Sequence, residues 1–273
     1  MTSNQLISNE IESFYQQTSE EARLQLGLGP LEFERNKHLI QQYLPSSKGT
    51  IIDVGGGPGI YSEWLSTLGH TVHLIDPVPK HIKQANKRAN SLKKPFKAIL
   101  GEARKLEFPN EFADVVILHG PLYHLQEKKD RMVAINEAKR VLKKNGIVLG
   151  FAINYAASTI AGLLNGFIHE EGFLDMCKQE LISGIHNPPK NLPGILPEAY
   201  YHKPTELVSE FNEADLQYLD TYAVEGVVWL DKKYFESRSD PKKRQALMEL
   251  LTITETDKSL LALSPHMMIA ARK

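Results

Sequence analysis

Apolar positions along this chain follow two alternating rhythms. Short apolar runs near 50–54, 71–75, 96–100, 113–118 and 146–153 have the length and β-branched content of buried strands. Between them, residues 60–68, 79–90 and 129–142 space their apolar positions three and four apart, which predicts amphipathic helices; Ile60, Trp64, Leu65 and Leu68 form one such stripe, ended by Gly69. Residues 5–44 read as N-terminal helices, with Ile11–Gln16 and Leu31–Ile40 as their amphipathic pieces. Regular alternation of strand and helix predicts an α/β fold, a doubly wound, mostly parallel sheet of seven strands with helices on both faces.

The alternation stops after the fifth strand. Residues 154–203 hold a Gly-rich helix, a His-Glu-Glu turn and the segment Asn187–Pro197, in which four prolines in eleven residues forbid a long helix or a central strand. This stretch reads as an insertion lying over the crevice as a substrate lid. Pro204 then opens a helix in its first turn. Strands near 216–229 and 265–271, joined by a charged helical excursion at 232–262, complete the sheet. The organisation expected is one domain, 1–273: cap helices at 1–44, a ligand-binding core at 45–153, the lid at 154–203 and the closing elements at 204–273. The sequence has no internal repeat and no low-complexity segment.

The chemistry concentrates at the first strand. Thr50-Ile-Ile-Asp-Val-Gly-Gly-Gly-Pro-Gly59 runs a buried strand into glycines at 55, 56, 57 and 59, where the backbone can turn sharply and a ligand can approach closely. Asp76 closes the next apolar run, placed to accept hydrogen bonds from ribose hydroxyls. A dinucleotide fingerprint aligned on Gly55 and Gly57 needs a small residue at 60, where Ile60 stands. Pyrophosphate also prefers a helix N-terminus without a competing anion, yet Asp53 stands at the mouth of the turn. A carboxylate there suits the α-ammonium group of an amino-acid moiety, so the residues favour S-adenosylmethionine over NAD.

Asp53-Val-Gly55-Gly-Gly57-Pro-Gly59 resembles the first motif of the class I S-adenosylmethionine-dependent methyltransferases. Leu74-Ile-Asp76-Pro77 resembles their second motif, and Gly101-Glu102-Ala103-Arg104 resembles the adenine-contacting turn, with Glu102 for the commoner aspartate. Phe112–Leu118 is similar to the fourth strand, and Arg140–Gly146 to the turn before the fifth, with Lys144-Asn145-Gly146 in place of Pro-Gly-Gly. The match is dense over about residues 35–155. The resemblance implies a Rossmann-like fold, methyl transfer, and cofactor contacts from Asp53, Gly55, Gly57, Gly59, Asp76, Pro77, Glu102, Ala103 and His119. His119, Tyr123 and His202 are the candidate catalytic residues. The polar cluster His119–His124 follows the fourth strand, whose C-terminal end opens onto the crevice, and Tyr200, Tyr201 and His202 follow the lid. Tyr15, Arg23 and His169 are weaker candidates.

Composition narrows the partner. A formal charge of −1 and 42% hydrophobic residues exert no global pull toward nucleic acid or anionic membrane. Lys80–Lys97 carries seven basic residues and no acid, which fits a solvated helix face as well as a nucleic-acid surface. Ile147–Ile168 is uncharged and long enough to span a bilayer, but its glycines, Asn154, Asn165, Ser158 and Thr159 favour a buried strand and lid helix. The single cysteine, Cys177, and the polar opening Met1–Glu10 suit a reducing, cytoplasmic setting without an export signal. No metal-ligand spacing is present. The expectation is a small-molecule methyl acceptor, with oxygen, nitrogen, sulfur and carbon acceptors all open, and a monomer or homodimer. A nucleic-acid or protein methyltransferase, or a non-catalytic S-adenosylmethionine-binding protein, are the alternatives.

Overall fold

The structure is a computed structural model that describes residues 6–192 and 195–273. Met1–Gln5 and the Pro193-Gly194 step of the proline-rich segment lie outside the described residues. In chain order the elements are α1 (Asn9–Gln17), α2 (Glu20–Arg23), α3 (Gly29–Gln41), β1 (Thr50–Val54), α4 (Ile60–Thr67), β2 (Thr71–Asp76), α5 (Pro79–Ala89), β3 (Lys97–Leu100), β4 (Ala113–Leu118), α6 (Pro121–His124), α7 (Lys128–Val141) and β5 (Leu142–Ile153). Then come α8 (Ala157–Asn165), α9 (Phe173–Ser183), β6 (Ile185–His186), β7 (Ala199–Tyr200), α10 (Pro204–Glu213), β8 (Gln217–Ala223), α11 (Tyr234–Ser237), α12 (Pro241–Thr254) and β9 (His266–Arg272).

Seven strands form one sheet in the order β3-β2-β1-β4-β5-β9-β8. The five from β3 to β5 are parallel, and β9 runs antiparallel to both β5 and β8. The order reverses between β1 and β4, so the crevice opens at the carboxyl ends of those two strands. Successive side chains of a strand point to opposite faces, and the core divides accordingly. Ile52, Val54, Val116 and Leu118 pack on one face with Ala134, Ile135 and Phe211 of α7 and α10. Ile51, Val115, Ile117 and Leu149 pack on the other with Leu39, Ile40 and Leu65 of α3 and α4.

Local chemistry sets several element ends. Ser8 caps α1 by accepting from the Ile11 N–H, and Asp240 caps α12 by accepting from Lys242 and Lys243 N–H. Prolines occupy the first turns of α5, α6, α10 and α12. Two expectations change. The strand read near 216–229 ends at Ala223, because Glu225 and Gly226 N–H both donate to Ser264 Oγ instead of continuing the ladder. In 154–203 a helix absent from the sequence reading, α9, buries Phe173, Met176, Cys177 and Glu180 on one face; these positions have helical spacing, hidden by glycines at both ends. No helix among the described residues is long and apolar enough to cross a membrane.

Candidate active site

A cavity of about 500 Å³ opens at the carboxyl ends of β1, β2 and β4. One wall is backbone. Gly55, Gly56, Gly57 and Pro58 line it, followed by Asp76, Pro77 and Val78 and then by Gly101, Glu102 and Ala103. Gly57 has φ +55°, and a Cβ added there would have nothing within 4 Å, so its open face is the cavity itself. Its N–H donates to Asp76 Oδ2 at 2.9 Å. Asp76 Oδ1 accepts from Val78 N–H at 2.9 Å and lies 3.1 Å from His81 Nδ1. The carboxylate is thus locked in place with one oxygen still able to accept more. Glu102 lines the same wall while its Oε2 accepts from Arg104 N–H and Nε–H, each at 2.9 Å.

The opposite wall is made of side chains from distant segments. Glu32 and Asn36 come from α3, Phe151 and Ile153 from β5, Tyr201 from the end of the 154–203 stretch, and Trp229 and His266 from the C-terminal part. Glu32 Oε2 and Oε1 accept from the Arg23 guanidinium at 2.6 and 3.0 Å. Burial resists ionisation of Glu32, but Arg23 and then His266 hold its carboxyl below the usual range. His266 Nδ1 lies 2.6 Å from Glu225 Oε1. Burial opposes its charge, yet Glu225 and Glu32 outweigh that and raise the imidazole to about 9. Glu32, Glu225 and His266 bring ligand atoms within 4.8 Å of one another. Glu32 is already held by Arg23 and His266 Nδ1 by Glu225, so this cluster reads as an ion-pair network.

Of the sequence-identified residues, Gly55, Gly57, Asp76, Pro77, Glu102, Ala103, His119 and Tyr123 are brought together on the cavity. Three are not. Asp53 is fully buried: Oδ2 accepts from Ser62 Oγ at 2.7 Å and Oδ1 lies 2.7 Å from His119 Nδ1, so direct contact with an ammonium group is corrected to contact with His119. Gly59 has φ +86° at the start of α4, where a Cβ would meet the Phe96 ring at 2.7 Å; its role is packing. His202 has no exposed surface. It continues the β5 edge in a bridge to Asn154, with its N–H on Ile153 O at 2.8 Å. Extended backbone alternates its side chains, so Tyr201 enters the cavity while His202 turns behind it, 3.4 Å from Glu210.

The weaker candidates divide likewise. Tyr15 and Arg23 line the cavity, and Tyr15 Oη is 2.7 Å from His124 Nε2. Burial, with His81 nearby, pushes His124 down to about 4, so it is neutral. Burial raises the Tyr15 and Tyr123 phenols, so neither is an anion at neutral pH. His169 is exposed and off the cavity. Residues that sequence reasoning missed are Glu32, Asn36 and His266. Glu32 and Asn36 lie four positions apart on α3, with Leu28 four positions earlier at its N-cap, a legible helical stripe, but nothing in the sequence pairs His266 with Glu225.

The cavity suits S-adenosylmethionine: an open glycine turn, a fixed carboxylate at the second strand, and a partly apolar wall at Pro77, Val78 and Ala103. Comparison with known proteins agrees. Residues 52–150 match the family model described as a methyltransferase domain. The ubiquinone biosynthesis O-methyltransferase of Paramagnetospirillum magneticum is 29% identical over 142 residues, 52% of this chain and 54% of that protein. The chain therefore spans about half the length of this curated relative. A methyltransferase of Methanosarcina mazei superposes with a TM-score of 0.59 at 17% identity, covering 86% of this chain and 96% of that one. The 1,6-didemethyltoxoflavin-N1-methyltransferase of Burkholderia thailandensis, solved with its substrate and S-adenosylhomocysteine, gives 0.52 at 14% identity, over 93% and 79%. At those identities the structural likeness speaks for the fold alone. Residues 52–150 thus carry a methyltransferase-domain match, and the fold and the glycine turn agree with those of S-adenosylmethionine-dependent methyltransferases.

Proposed function

We propose that this protein transfers the methyl group of S-adenosylmethionine to a small, largely apolar organic molecule held in the same cavity. The observation that carries this reading is the continuity of one 500 Å³ space from the open face of Gly57, past His119, to a wall of Phe151, Ile153, Tyr201 and Trp229. The cofactor supplies an electrophilic methyl on a sulfonium, which leaves as a neutral thioether. The chain's part is to hold acceptor and cofactor aligned and to keep water out. Gly55, Gly57, Asp76, Pro77, Glu102 and Ala103 are the proposed cofactor contacts, and His119 and Tyr123 border the acceptor.

Residues 154–203 act as the lid in this reading, supported by Ala157, Ser158, Ala161, Leu196 and Tyr201 on the cavity wall. A small acceptor also agrees with the substrate classes in the names of the two relatives that carry one. A nucleic-acid substrate gains little support from Lys80–Lys97. Lys80 Nζ is spent on the carbonyls of Tyr15, Gln16 and Thr18, and Arg88 on Glu63 and Glu21. A reducing, cytoplasmic setting suits the single buried thiol, Cys177.

Calorimetry with S-adenosylhomocysteine tests the reading. Wild type binds, NAD does not, and Asp76→Ala weakens binding tenfold or more, since hydrogen bonds to a charged partner are worth roughly 1.5–3 kcal/mol. Unchanged affinity in Asp76→Ala sinks the assignment.

A further inference from the structure

We propose that the methyl acceptor carries its proton on the attacking atom, an O–H or N–H group, and that His119 Nε2 takes that proton while Asp53 and Ser62 fix the ring. This rests on the methyl-transfer reading above.

The argument starts from Asp53, whose carboxylate is wholly buried and turned away from the cavity. Ser62 Oγ–H donates to one of its oxygens at 2.7 Å. The other faces His119 Nδ1 at 2.7 Å and accepts from it, which fixes the Nδ1–H tautomer. The imidazole is clamped between two aromatic rings, Tyr61 at 4.5 Å and 24° and Phe151 at 4.8 Å and 23°. The His119 N–H donates to Val54 O at 2.9 Å, tying its backbone to the end of β1. The tautomer is therefore set by Asp53 and Ser62, which lie off the cavity, and the ring's tilt by Tyr61 and Phe151, which line it.

Nε2 is left with a lone pair, buried and without a partner. A buried polar atom without a partner costs about 1–3 kcal/mol, and such an exception in a folded protein asks for a ligand or another explanation. His119 lines the cavity while Nε2 itself has no exposed surface, so a hydrogen-bond donor bound there becomes its partner with a small shift of the ring. An acceptor with no proton to give, such as a thioether, a tertiary amine or an alkene carbon, leaves Nε2 unsatisfied. With O–H or N–H the step balances. The acceptor's lone pair forms the new bond to the methyl carbon as the carbon–sulfur bond breaks with its pair staying on sulfur, and the proton passes to Nε2. The imidazolium so formed faces the Asp53 carboxylate, the geometry of a base held by an acid. The cofactor's own α-ammonium group and a bound water are the other donors, and the experiment separates them from the acceptor.

The test uses full-length protein with 15N-labelled histidine, its His119 side-chain resonances assigned with His119→Gln. In protein saturated with S-adenosylhomocysteine, His119 is expected as the Nδ1–H tautomer with unprotonated Nε2. Added phenol or aniline then moves the Nε2 resonance toward its hydrogen-bonded position, and toluene, of the same shape, does not. Asp53→Asn is expected to give a mixture of tautomers, a change that a packing role for Asp53 does not require. An Nε2–H tautomer in wild type overturns the proposal. So does an Nε2 shift complete with S-adenosylhomocysteine alone, which assigns His119 to the ammonium group or to a bound water, and so does indifference to both phenol and aniline. Failure of wild type to bind S-adenosylhomocysteine by calorimetry is a separate result, and it sinks the methyl-transfer reading itself.

Discussion

The two walls of the cavity are built by opposite means. The glycine-turn wall is backbone and fixed carboxylates, from the ends of adjacent parallel strands β1, β2 and β3. The facing wall is side chains from α3, β5, the 154–203 stretch and the segment before β9. In the proposed reading the backbone wall takes the cofactor, because its shape survives changes of side chain. A side-chain wall can be rebuilt residue by residue, which suits the partner that differs from one enzyme to the next. The contrast predicts different sensitivities on the two sides.

The largest effect is expected at Gly57. Gly57→Val places a β-branched side chain at φ +55° and fills the open face of the turn. Affinity for S-adenosylhomocysteine should fall at least about a hundredfold, corresponding to some 1–3 kcal/mol of strain plus lost contact, while circular dichroism keeps the folded spectrum. Normal binding in this variant would erase the distinction between the walls.

The side-chain wall should fail through its supports. Arg131 is buried behind Tyr200, its guanidinium carbon 3.7 Å from that ring centroid and its Nη2 2.7 Å from Glu210 Oε1. Burial resists charge on Glu210, but hydrogen bonds from His202 and Arg131 bring it down to about 2. Arg131→Met strands that carboxylate, and breaking a buried pair on one side costs about 3–5 kcal/mol. Chemical denaturation is the measurement. A loss below about 1 kcal/mol would mean that the pair behaves like a surface one.

The pH profile adds a second contrast, since two histidines lining the cavity, His124 and His266, are shifted in opposite directions. His124, pushed down to about 4, contributes stability that is present above pH 6.5 and lost as pH falls from 6.5 to about 4. That loss is on the order of 2–3 kcal/mol. His266, raised to about 9, contributes stability that is full below 6.5 and lost as pH rises through 9. Denaturation across pH should show His124→Gln flattening the acid limb and His266→Gln the alkaline one. A profile unchanged by both variants would remove the electrostatic half of this account.

The smallest effect concerns how α1 is held over the opening. Lys80 Nζ donates to the carbonyls of Tyr15, Gln16 and Thr18 at 2.8–3.0 Å, capping the end of that helix. Lys80→Met should cost about 1 kcal/mol and speed hydrogen exchange at 9–17 without altering exchange in β1 or β4. Equal acceleration in the strands would show that α1 is part of the cooperative core.

How much the chain announced in advance follows the same divide. The sequence by itself determined the strand and helix alternation, the sheet and the turn Gly55–Gly59 followed by Asp76. These depend on periodicity and on residues within one βαβ unit, where local sterics and short connections leave few alternatives. Only the tertiary structure decided which polar groups meet across the cavity. Asp53 and His119 stand 66 positions apart and are joined because β1 and β4 pair in parallel. Glu225 and His266 meet 41 positions apart because the chain leaves β8 and returns as β9. His202 carried the right chemistry and the wrong parity: one step along an extended strand turned Tyr201 inward and His202 out. Contacts between distant segments are fixed by strand order and register, which a pattern of apolar residues constrains but does not specify, and catalytic candidates are where that difference shows most.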